Sequence, residues 1–324
     1  MTLVSDVAVI GLGSVGLRHA GNILSPQCRV IGFDPDPQRR AMLEEMGGTP
    51  VETRDMALGM AAAAVIASPN AHHLDDARAA LAAGCHVLIE KPLGHTDEGV
   101  EELLTSAAER SLTVALAHNQ RFQPGVVTAK KIIDRGALGA LTSGRFVCSS
   151  YLPDWRPEQD HRQNYTADAV TGGVLFDISH EFDLAYHLLG PAVTQSASAE
   201  NSKTLGIAAE DSADVVLKHD CGARTDVHVD YKTRQARREF EITGTGGQIN
   251  VDILNRRFDH RDADGNTIDE MAFGGTSAET YKDEMQDFLN AIESGTAPRC
   301  GGAEGLAVLR LVLEARRLSG LPGA

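Results

Sequence analysis

Lys91 occupies a position where a cation could take part in a reaction. It lies in the tripeptide Glu90-Lys91-Pro92, at the end of the stretch His86–Glu90, which is typical of a buried strand. An isolated lysine is usually a solvated surface charge, but a lysine at the carboxyl end of a strand can hydrogen-bond a substrate hydroxyl and make it more acidic. We expect Pro92 to hold this turn rigidly, through either a cis or a trans peptide bond.

His180 is the second candidate, since histidine is the side chain best suited to take a proton at neutral pH. It lies in the segment Leu175–Leu189, which we predict to be one amphipathic helix. One side of this helix is apolar, and the other carries the ionisable residues Asp177, His180, Asp183 and His187. The ionisable side is either solvent-exposed or a general base with an orienting carboxylate. The upstream pair Gly172-Gly173, which lets the backbone approach a ligand, favours the second interpretation.

The same segment contains part of a zinc-binding pattern, because His180 is followed by Glu181. The HExxH pattern of metalloproteases needs a second histidine where this chain has Leu184, so the metalloprotease interpretation fails. Asp177, His180 and His187 remain alternative ligands of a divalent ion, although we favour proton transfer and predict no metal. No GxSxG or cysteine–histidine signature indicates nucleophilic catalysis.

The stretch Val7–Gly16, with the sequence VAVIGLGSVG, predicts a buried strand that runs through a tight turn into a helix. Its glycines have separate purposes: Gly11 permits the turn, Gly13 lets a pyrophosphate approach the backbone, and Gly16 lets the helix pack closely. The helix N-terminus also favours an anion. We therefore predict a dinucleotide site at this turn.

Asp34 indicates which dinucleotide binds. It follows the predicted strand Arg29–Phe33 and lies about twenty residues after the glycines, where an acid binds the ribose hydroxyls. NAD is favoured, because a carboxylate repels the 2′-phosphate of NADP. Arg39 and Arg40 follow closely, and they keep NADP as an alternative.

Strands and helices alternate through about the first 120 residues, including a predicted helix over His95–Arg110. This alternation predicts a doubly wound parallel sheet of the Rossmann type, in which ligands bind at the carboxyl ends of the strands. His72 and His73 serve either the structure or the dinucleotide site. The predicted cofactor-binding residues are Gly11, Leu12, Gly13, Ser14, Val15, Gly16, Asp34, Ser68, Pro69, Asn70, His73, Glu90, Lys91 and Asn119.

The pattern changes after Pro124, where a predicted helix is followed by short strands separated by turns. We expect an α+β domain with a mostly antiparallel sheet, so that the chain has one domain at residues 1–122 and another at 123–324. The last helix is expected to pack back on the first domain.

The polar loop Pro153–Asp168 carries aromatic rings and forked donors, which suit a polyhydroxylated or acidic ligand. Three further arginines, Arg234, Arg237 and Arg238, are expected at the surface, with a subunit or substrate contact as the alternatives. The predicted substrate-binding residues are Lys91, Arg121, Trp155, Arg156, His161, Tyr165, Asp177 and His180.

Composition limits the partners and the compartment. The net charge of −15 argues against nucleic acid or an anionic membrane as the main partner. The five cysteines are far apart and form no CxxC pair, and no apolar run approaches the roughly twenty residues that span a bilayer. We therefore expect a cytoplasmic protein.

Three motifs in this order resemble the Gfo/Idh/MocA family of nicotinamide-dependent oxidoreductases: GLGSVG, EKP at Glu90–Pro92, and GGVLFDISHEFD at Gly172–Asp183. The resemblance covers nearly all of the chain and implies that Lys91 and His180 match the family's catalytic lysine and histidine. Many members space the aspartate and the histidine four residues apart. Here Asp177 is three residues from His180, as in a branch with a DxSHExD motif, so Asp183 is an alternative orienting carboxylate.

The resemblance implies a Rossmann domain followed by a domain with a large open sheet, and a homodimer or homotetramer formed through that sheet. It also implies substrates among sugars, inositols and their derivatives. In the expected reaction His180 removes a hydroxyl proton, Lys91 polarises the oxygen, and hydride passes to the nicotinamide. The alternatives are an NAD-assisted lyase or glycosidase with no net redox change, and a non-catalytic dinucleotide-sensing regulator.

Overall fold

The protein is described by a computed structural model that covers residues 4–323. Its strands are β1 (Asp6–Ile10), β2 (Arg29–Phe33), β3 (Thr49–Pro50), β4 (Ala63–Ile66), β5 (His86–Glu90), β6 (Val114–Ala117), β7 (Leu141–Tyr151), β8 (Ala192–Glu200), β9 (Ser212–His219), β10 (Arg224–Asp230), β11 (Lys232–Gly244), β12 (Gly247–Asp252), β13 (Arg257–Asp262) and β14 (Thr267–Ala272). Its α-helices are α1 (Ser14–Ile23), α2 (Pro37–Glu45), α3 (Arg54–Gly59), α4 (His73–Ala82), α5 (Val100–Glu109), α6 (Pro124–Asp134), α7 (Val174–Asp177), α8 (His180–Leu189), α9 (Ser277–Ser294) and α10 (Gly302–Leu318).

The chain divides into two compact units. The first contains Met1–Asn119 and Ala278–Leu306, and the second contains Gln120–Ser277 and Ala307–Ala324. The predicted division at residues 122 and 123 differs from this one, because the chain enters the second unit at Gln120 and later returns to the first. The last helix, α10, was expected to pack on the first domain, but only its residues up to Leu306 group with the first unit.

The first unit is built on a six-stranded parallel sheet with the order β3-β2-β1-β4-β5-β6. Its central strands are apolar along most of their length, because helices cover both faces of a doubly wound sheet. Val7 and Val9 of β1 pack in one core with Met285 and Phe288 of α9. The predicted Rossmann architecture is confirmed, and α9 completes its core.

One predicted helix in this unit is too long. The helix expected over His95–Arg110 begins only at Val100, because Gly99 has φ of 72°. A residue in this left-handed region cannot continue a right-handed helix. Residues 95–99 therefore form a loop after the Lys91 turn.

The second unit is built on an eight-stranded sheet with the order β14-β13-β12-β11-β7-β10-β9-β8. Strands β7 and β10 run parallel, and the other neighbouring pairs are antiparallel. The predicted mostly antiparallel sheet is therefore confirmed. Alternate residues such as Phe146 and Val227 are buried on the face that α8 covers, whereas Arg145 and Asp226 are exposed on the other.

The single helix predicted over Leu175–Leu189 is wrong. Helix α7 ends at Asp177, Ile178 has non-helical angles (φ −100°, ψ 40°), and α8 begins at His180. Both sides of α8 are buried, including His180 and Asp183. The solvent-exposed alternative for these two residues is therefore excluded.

Within residues 4–323 no helix combines the length and the apolar character needed to cross a bilayer.

Candidate active site

The loop after β1 has a shape that suits a diphosphate. Gly11 has φ of 89°, and a Cβ on Gly16 would lie 1.9 Å from the Gly11 carbonyl oxygen. A Cβ on Gly13 would meet only the guanidinium tip of Arg39, at 3.9 Å. Gly13 caps α1 without a side chain, so the first helical amides face a cradle that any side chain at this position would fill.

Asp34 ties this loop to the end of β2. Its buried carboxylate accepts hydrogen bonds from the backbone N–H of Leu12, at 2.8 Å, and of Asp36, at 2.9 Å. The guanidinium of Arg39 donates to the same carboxylate at 3.3 Å and is half exposed. An acid and a neighbouring cation thus lie together where the sequence predicts the ribose site.

His73 has a structural position. It is buried, with Nδ1 2.8 Å from the Pro92 carbonyl oxygen and Nε2 2.7 Å from the Ser68 carbonyl oxygen. Burial lowers the pKa of His73, although these two carbonyls and the nearby carboxylates of Glu90 and Asp76 favour the charged ring. The prediction of a direct cofactor contact is corrected, because the ring joins the loops that follow β4 and β5.

Side-chain hydrogen bonds to Asp76 hold the loop after β4. The Ser68 hydroxyl donates to Asp76 at 2.6 Å, and Asp76 accepts from Arg54 at 2.9 Å. Pro69 is exposed at the tip of the loop, and Asn70 is buried at the start of a 3₁₀ turn. These contacts fix the loop that is predicted to lie along the cofactor.

Both carboxylate oxygens of the buried Glu90 have partners within the first unit. One carboxylate oxygen lies 2.7 Å from Nε2 of His19, and the other accepts the backbone N–H of Lys91 at 3.1 Å. Lys91 is half-buried, and its peptide bond to Pro92 is cis. The predicted role of Glu90 in cofactor binding is therefore corrected to one of holding the Lys91 turn. The sequence does not indicate that His19 pairs with Glu90; its place three residues after Gly16 is the one feature that could have drawn notice to it.

Asn119 was predicted to bind the cofactor. Its side chain is 1% exposed, and its amide donates to the Thr280 hydroxyl at 2.8 Å. This bond joins the end of β6 to the first turn of α9. The side chain of Asn119 therefore has a structural contact within the first unit, and its predicted cofactor contact stays a prediction.

In the second unit, two tyrosines hold Asp177. Tyr165 donates to one carboxylate oxygen at 3.1 Å, and Tyr231 lies 3.2 Å from the other and 3.1 Å from the Gly173 carbonyl oxygen. Burial and the charge of Asp177 raise the pKa of Tyr231 well above its usual range, so its hydroxyl remains a donor. No pattern in the sequence pointed to Tyr231.

Arg121 was predicted to bind the substrate, and this prediction is corrected. Its guanidinium is fully buried and makes a two-pronged ion pair with Asp183, with N–O distances of 2.7–3.1 Å. Burial removes the solvent access that a substrate contact needs, and the pair anchors the first turn of α8. The carboxylate of Asp183 therefore neutralises the buried charge of Arg121.

The polar loop after β7 places aromatic rings near Asp177. The Trp155 indole donates to the Ser150 hydroxyl at 3.0 Å and meets the Tyr231 ring edge-on at 5.4 Å. His161 lies 2.9 Å from the Leu205 carbonyl oxygen, and Arg156 is half-buried. Trp155 and Tyr165 keep exposed surface, as a ligand-facing pair requires.

The three arginines of β11 have different environments. Arg238 is mostly buried and donates to the buried carboxylate of Glu181 at 2.8 and 3.2 Å, so its expected surface position is wrong. Arg234 stacks on the Tyr151 ring at 4.2 Å, and Arg237 pairs with Glu239. Only the last two keep the predicted exposure.

A second buried ion pair supports α7. Arg316 of α10 donates to Glu210 at 3.0 Å and to the Gly172 carbonyl oxygen at 3.3 Å. Glu210 in turn accepts the Leu175 N–H at 3.3 Å, and burial raises its pKa. A Cβ on Gly173 would lie 2.2 Å from the Glu210 carboxylate. Gly173 is thus required by a buried carboxylate, whereas a Cβ on Gly172 would lie 2.3 Å from the Tyr165 carbonyl oxygen.

The two units together contain the functional groups of a dehydrogenase. The first has a diphosphate cradle, an acid at the ribose position and a lysine at a strand end. The second has the buried His180 and, three residues earlier in the chain, a carboxylate held by two tyrosines. Among residues 4–323 no group of three or more histidine, cysteine, aspartate or glutamate side chains could hold a metal ion, so Asp177, His180 and His187 form no such group.

This fold and these groups define a two-domain, dinucleotide-dependent oxidoreductase. Residues 5–118 match the family model described as "Oxidoreductase family, NAD-binding Rossmann fold", and residues 126–250 match the "GFO/IDH/MocA C-terminal domain". The chain belongs to the Gfo/Idh/MocA family of NAD(P)-dependent oxidoreductases.

Several named relatives are dehydrogenases. Inositol 2-dehydrogenase of Rhizobium meliloti is 27% identical over 328 residues, 95% of each chain. UDP-N-acetylglucosamine 3-dehydrogenase of Acidithiobacillus ferrooxidans is 26% identical over 321 residues, again 95% of each. A solved levoglucosan dehydrogenase, in complex with NADH and levoglucosan, has a TM-score of 0.87 at 21% identity and covers 98% of this chain and 97% of its own. These relatives give no support to the lyase or regulator alternatives.

Proposed function

We propose that the protein transfers hydride between NAD and a secondary hydroxyl of a sugar, an inositol or a sugar derivative. The relatives that match along the whole chain carry the names of dehydrogenases for such substrates. The loop after β7 adds ring faces and donors that suit polyols.

When bound, the nicotinamide supplies the acceptor for the hydride that leaves the carbinol carbon. His180 takes the hydroxyl proton, and Asp177, held by Tyr165 and Tyr231, orients the imidazole. Lys91 donates a hydrogen bond to the substrate oxygen and stabilises its developing negative charge. The oxygen loses its proton to His180 as the carbon loses its hydride, so charge does not accumulate.

The position of Lys91 carries this proposal. It follows β5 at the carboxyl end of the sheet, the same end at which the loop after β1 offers its open cradle at Gly13. In open parallel sheets this is the end where ligands bind. The same proposal assigns the cofactor to Gly11–Gly16, Asp34 and the loop Ser68–Asn70.

The test is a screen of polyols, aldoses, uronates and nucleotide sugars with NAD and with NADP, read by the absorbance of the reduced cofactor. Lys91→Ala and His180→Ala should each lower kcat by about 10²-fold or more while cofactor binding stays nearly normal. Lys218→Ala, which removes an exposed lysine of β9, is the matched control and should leave kcat unchanged. Near-normal turnover in both site variants would contradict the mechanism.

The preference for NAD rests on Asp34. Asp34→Ser should lower the ratio of kcat/KM for NAD over that for NADP by roughly tenfold or more, because the repulsion of a 2′-phosphate is removed. Arg39→Ala should raise the same ratio, since a half-exposed cation beside the site is lost. If neither substitution changes this ratio of kcat/KM values, residues other than Asp34 and Arg39 determine the preference for NAD.

The oligomer is proposed to form between copies of the exposed face of the eight-stranded sheet. Charges of both signs alternate there: Arg145 lies between Asp226 on β10 and Glu241 on β11. A groove of about 770 Å³ runs across this face. Light scattering should show a dimer or tetramer, and Arg145→Glu should shift it toward the monomer; a monomeric wild-type protein would contradict this interface.

A reducing compartment such as the cytoplasm is proposed from the thiols. Cys28, Cys85, Cys148, Cys221 and Cys300 are all free in the part of the chain that the structure describes. Fractionation of cells that express a tagged chain tests this location.

A further inference from the structure

A buried pair of side chains lies directly behind the Lys91 turn. His19 of α1 has no exposed surface, and its Nε2 is 2.7 Å from Oε1 of Glu90. Glu90 is also buried, at the last position of β5. A buried carboxylate is costly unless donors surround it, so His19 is the partner that makes this arrangement stable.

The pair reaches Lys91 through its backbone. Oε2 of Glu90 accepts the Lys91 N–H at 3.1 Å, and Nδ1 of His73 lies 2.8 Å from the carbonyl oxygen of the next residue, Pro92. The Glu90 side chain thus holds the backbone amide at the start of the turn, and the His73 side chain holds the carbonyl group of the next residue. The direction in which the Lys91 side chain leaves the strand depends on both.

We propose that His19 is a positioning residue for the oxidoreductase reaction, acting through the Glu90 carboxylate on the backbone amide of Lys91. This inference rests on the proposed role of Lys91 in the reaction. It gives His19 a function in turnover, in addition to its packing as a buried residue of α1. A misplacement of about 1 Å at a reacting group can cost about 10²-fold in rate, so a small movement of this turn is sufficient.

The charge of Glu90 provides a readout that simple loss of packing would not give. Burial raises the pKa of Glu90, but the hydrogen bond from His19 and the charges of His19, Lys91 and His73 outweigh it, and the net pKa is lowered. Tyr281 of α9 packs edge-on against His19 at 5.7 Å, and burial together with the Glu90 charge raises the Tyr281 pKa. In the native protein Glu90 therefore stays ionised throughout the neutral range.

Removal of His19 should reverse this balance. Burial would then dominate, and the carboxyl group would take up a proton at a higher pH. A protonated carboxyl is a weaker acceptor for the Lys91 N–H. We expect kcat of His19→Leu to fall by roughly tenfold to 10²-fold. Its pH profile should also show an additional loss of activity toward acid pH, beyond the limb that protonation of His180 gives the native enzyme.

The experiment compares His19→Leu, His19→Gln, Glu90→Gln and the double variant His19→Leu/Glu90→Gln with the native chain. The measurements are kcat against pH with the polyol that the screen selects, the dissociation constant of NADH, and hydrogen exchange of the Lys91 amide in the cofactor-free protein. His19→Leu should give the additional acid limb, faster Lys91 exchange and an NADH dissociation constant within about threefold of native. His19→Gln keeps a donor and should restore most of kcat and of the amide protection.

Glu90→Gln removes the charge of the Glu90 side chain and keeps its shape. By itself it should lower kcat without the additional limb. In the double variant His19→Leu/Glu90→Gln the additional limb of His19→Leu should disappear, because no titrating group remains at position 90. The matched control is His219→Leu, which removes a buried histidine of the second unit. Its Nδ1 lies 2.8 Å from the Gly190 carbonyl oxygen and its Nε2 lies 2.9 Å from the Thr225 hydroxyl. His219→Leu should lower stability while leaving the pH profile and the Lys91 exchange rate unchanged.

Three outcomes overturn the inference: His19→Leu behaves like His219→Leu, the additional acid limb persists in His19→Leu/Glu90→Gln, or His19→Gln fails to restore protection of the Lys91 amide. If His19→Leu does not fold, the other two single variants still decide, since His19→Gln must retain the protection of the Lys91 amide and Glu90→Gln must weaken it. Lys91→Ala in the same series tests the proposed function separately. Normal turnover of Lys91→Ala would refute that function while leaving the exchange result intact.

Discussion

The two units hold the loops and helices around their reactive side chains by different means. In the first unit, side chains bond to backbone groups: Asp34 to the Leu12 amide and Glu90 to the Lys91 amide. In the second unit, buried charges pair with one another, as in Arg121 with Asp183 and Arg316 with Glu210. The first arrangement shapes loops at an open edge, whereas the second fastens helices inside a protein core.

This difference has energetic consequences. A hydrogen bond to a backbone amide contributes about 1 kcal/mol, so its loss mainly misplaces a loop. Removal of one partner from a buried ion pair leaves an uncompensated charge and costs about 3–5 kcal/mol. We therefore expect substitutions around Lys91 to reduce function first, and substitutions around α8 to reduce stability first.

The largest expected effect is at Arg121. Arg121→Met should lower the free energy of unfolding by about 3–5 kcal/mol in urea titrations, because Asp183 is fully buried and loses its counter-charge. The double variant Arg121→Met/Asp183→Leu should recover a large part of this loss. Arg317→Ala, which breaks an exposed pair with Glu314, should be close to neutral. A small effect of Arg121→Met would show that the pair is not what anchors α8.

Two glycines of the loop after β1 should respond in opposite ways. Gly16→Ala places a Cβ 1.9 Å from the Gly11 carbonyl oxygen and should cost about 1–3 kcal/mol of stability. Gly13→Ala places its Cβ in open space with φ of −67°, so the melting temperature should hardly change while NADH binding weakens by tenfold or more. Calorimetry and fluorescence titration measure the two quantities. Unchanged NADH binding in Gly13→Ala would contradict the diphosphate cradle.

A smaller effect is expected at the tyrosines that hold Asp177. Tyr231→Phe should cost about 1 kcal/mol of stability and lower kcat severalfold, because a buried carboxylate oxygen and the Gly173 carbonyl share its hydroxyl. Tyr165→Phe should leave stability nearly unchanged, since water can replace a half-exposed hydroxyl. Equal stability losses in the two variants would refute this distinction.

The smallest effect concerns the exposed face of the second sheet. The hydrogen bond with Asp230, opposed by burial and aided by Asp214, raises the pKa of His228 above its usual 6.5. Its stabilising contribution is therefore complete below about pH 6.5 and is lost as the pH rises through the higher folded-state pKa. His228→Gln should remove about a few tenths of a kcal/mol at pH 6 and almost nothing at pH 9.

Unfolding of both proteins in urea at the two pH values measures this change. The pKa of Asp230 is lowered, so its own contribution disappears only in acid, below pH 3.8, and does not interfere at pH 6. A destabilisation of His228→Gln that grows with pH would contradict a raised pKa of His228 in the folded protein.

Local patterns made much of the first unit predictable. Strands β2 and β5 have the predicted bounds, because short β-branched runs ended by turn residues depend on neighbours in sequence. The glycines around Gly13 were recognisable for the same reason, since the turn and the helix start are adjacent in the chain. The helix over His95–Arg110 was overextended because nothing in the sequence shows that Gly99 adopts a positive φ.

The chain by itself determined the architecture, the family motifs and the identity of the residues with reactive groups, all of which depend on composition and short spacing. The tertiary structure decided their partners: Arg121 turned from a substrate ligand into the counter-charge of Asp183, and Glu90 from a cofactor ligand into the link between His19 and Lys91. These pairs join residues 62 and 71 positions apart. A charge that is buried takes whichever opposite group folding brings within reach, and that choice has no local signal.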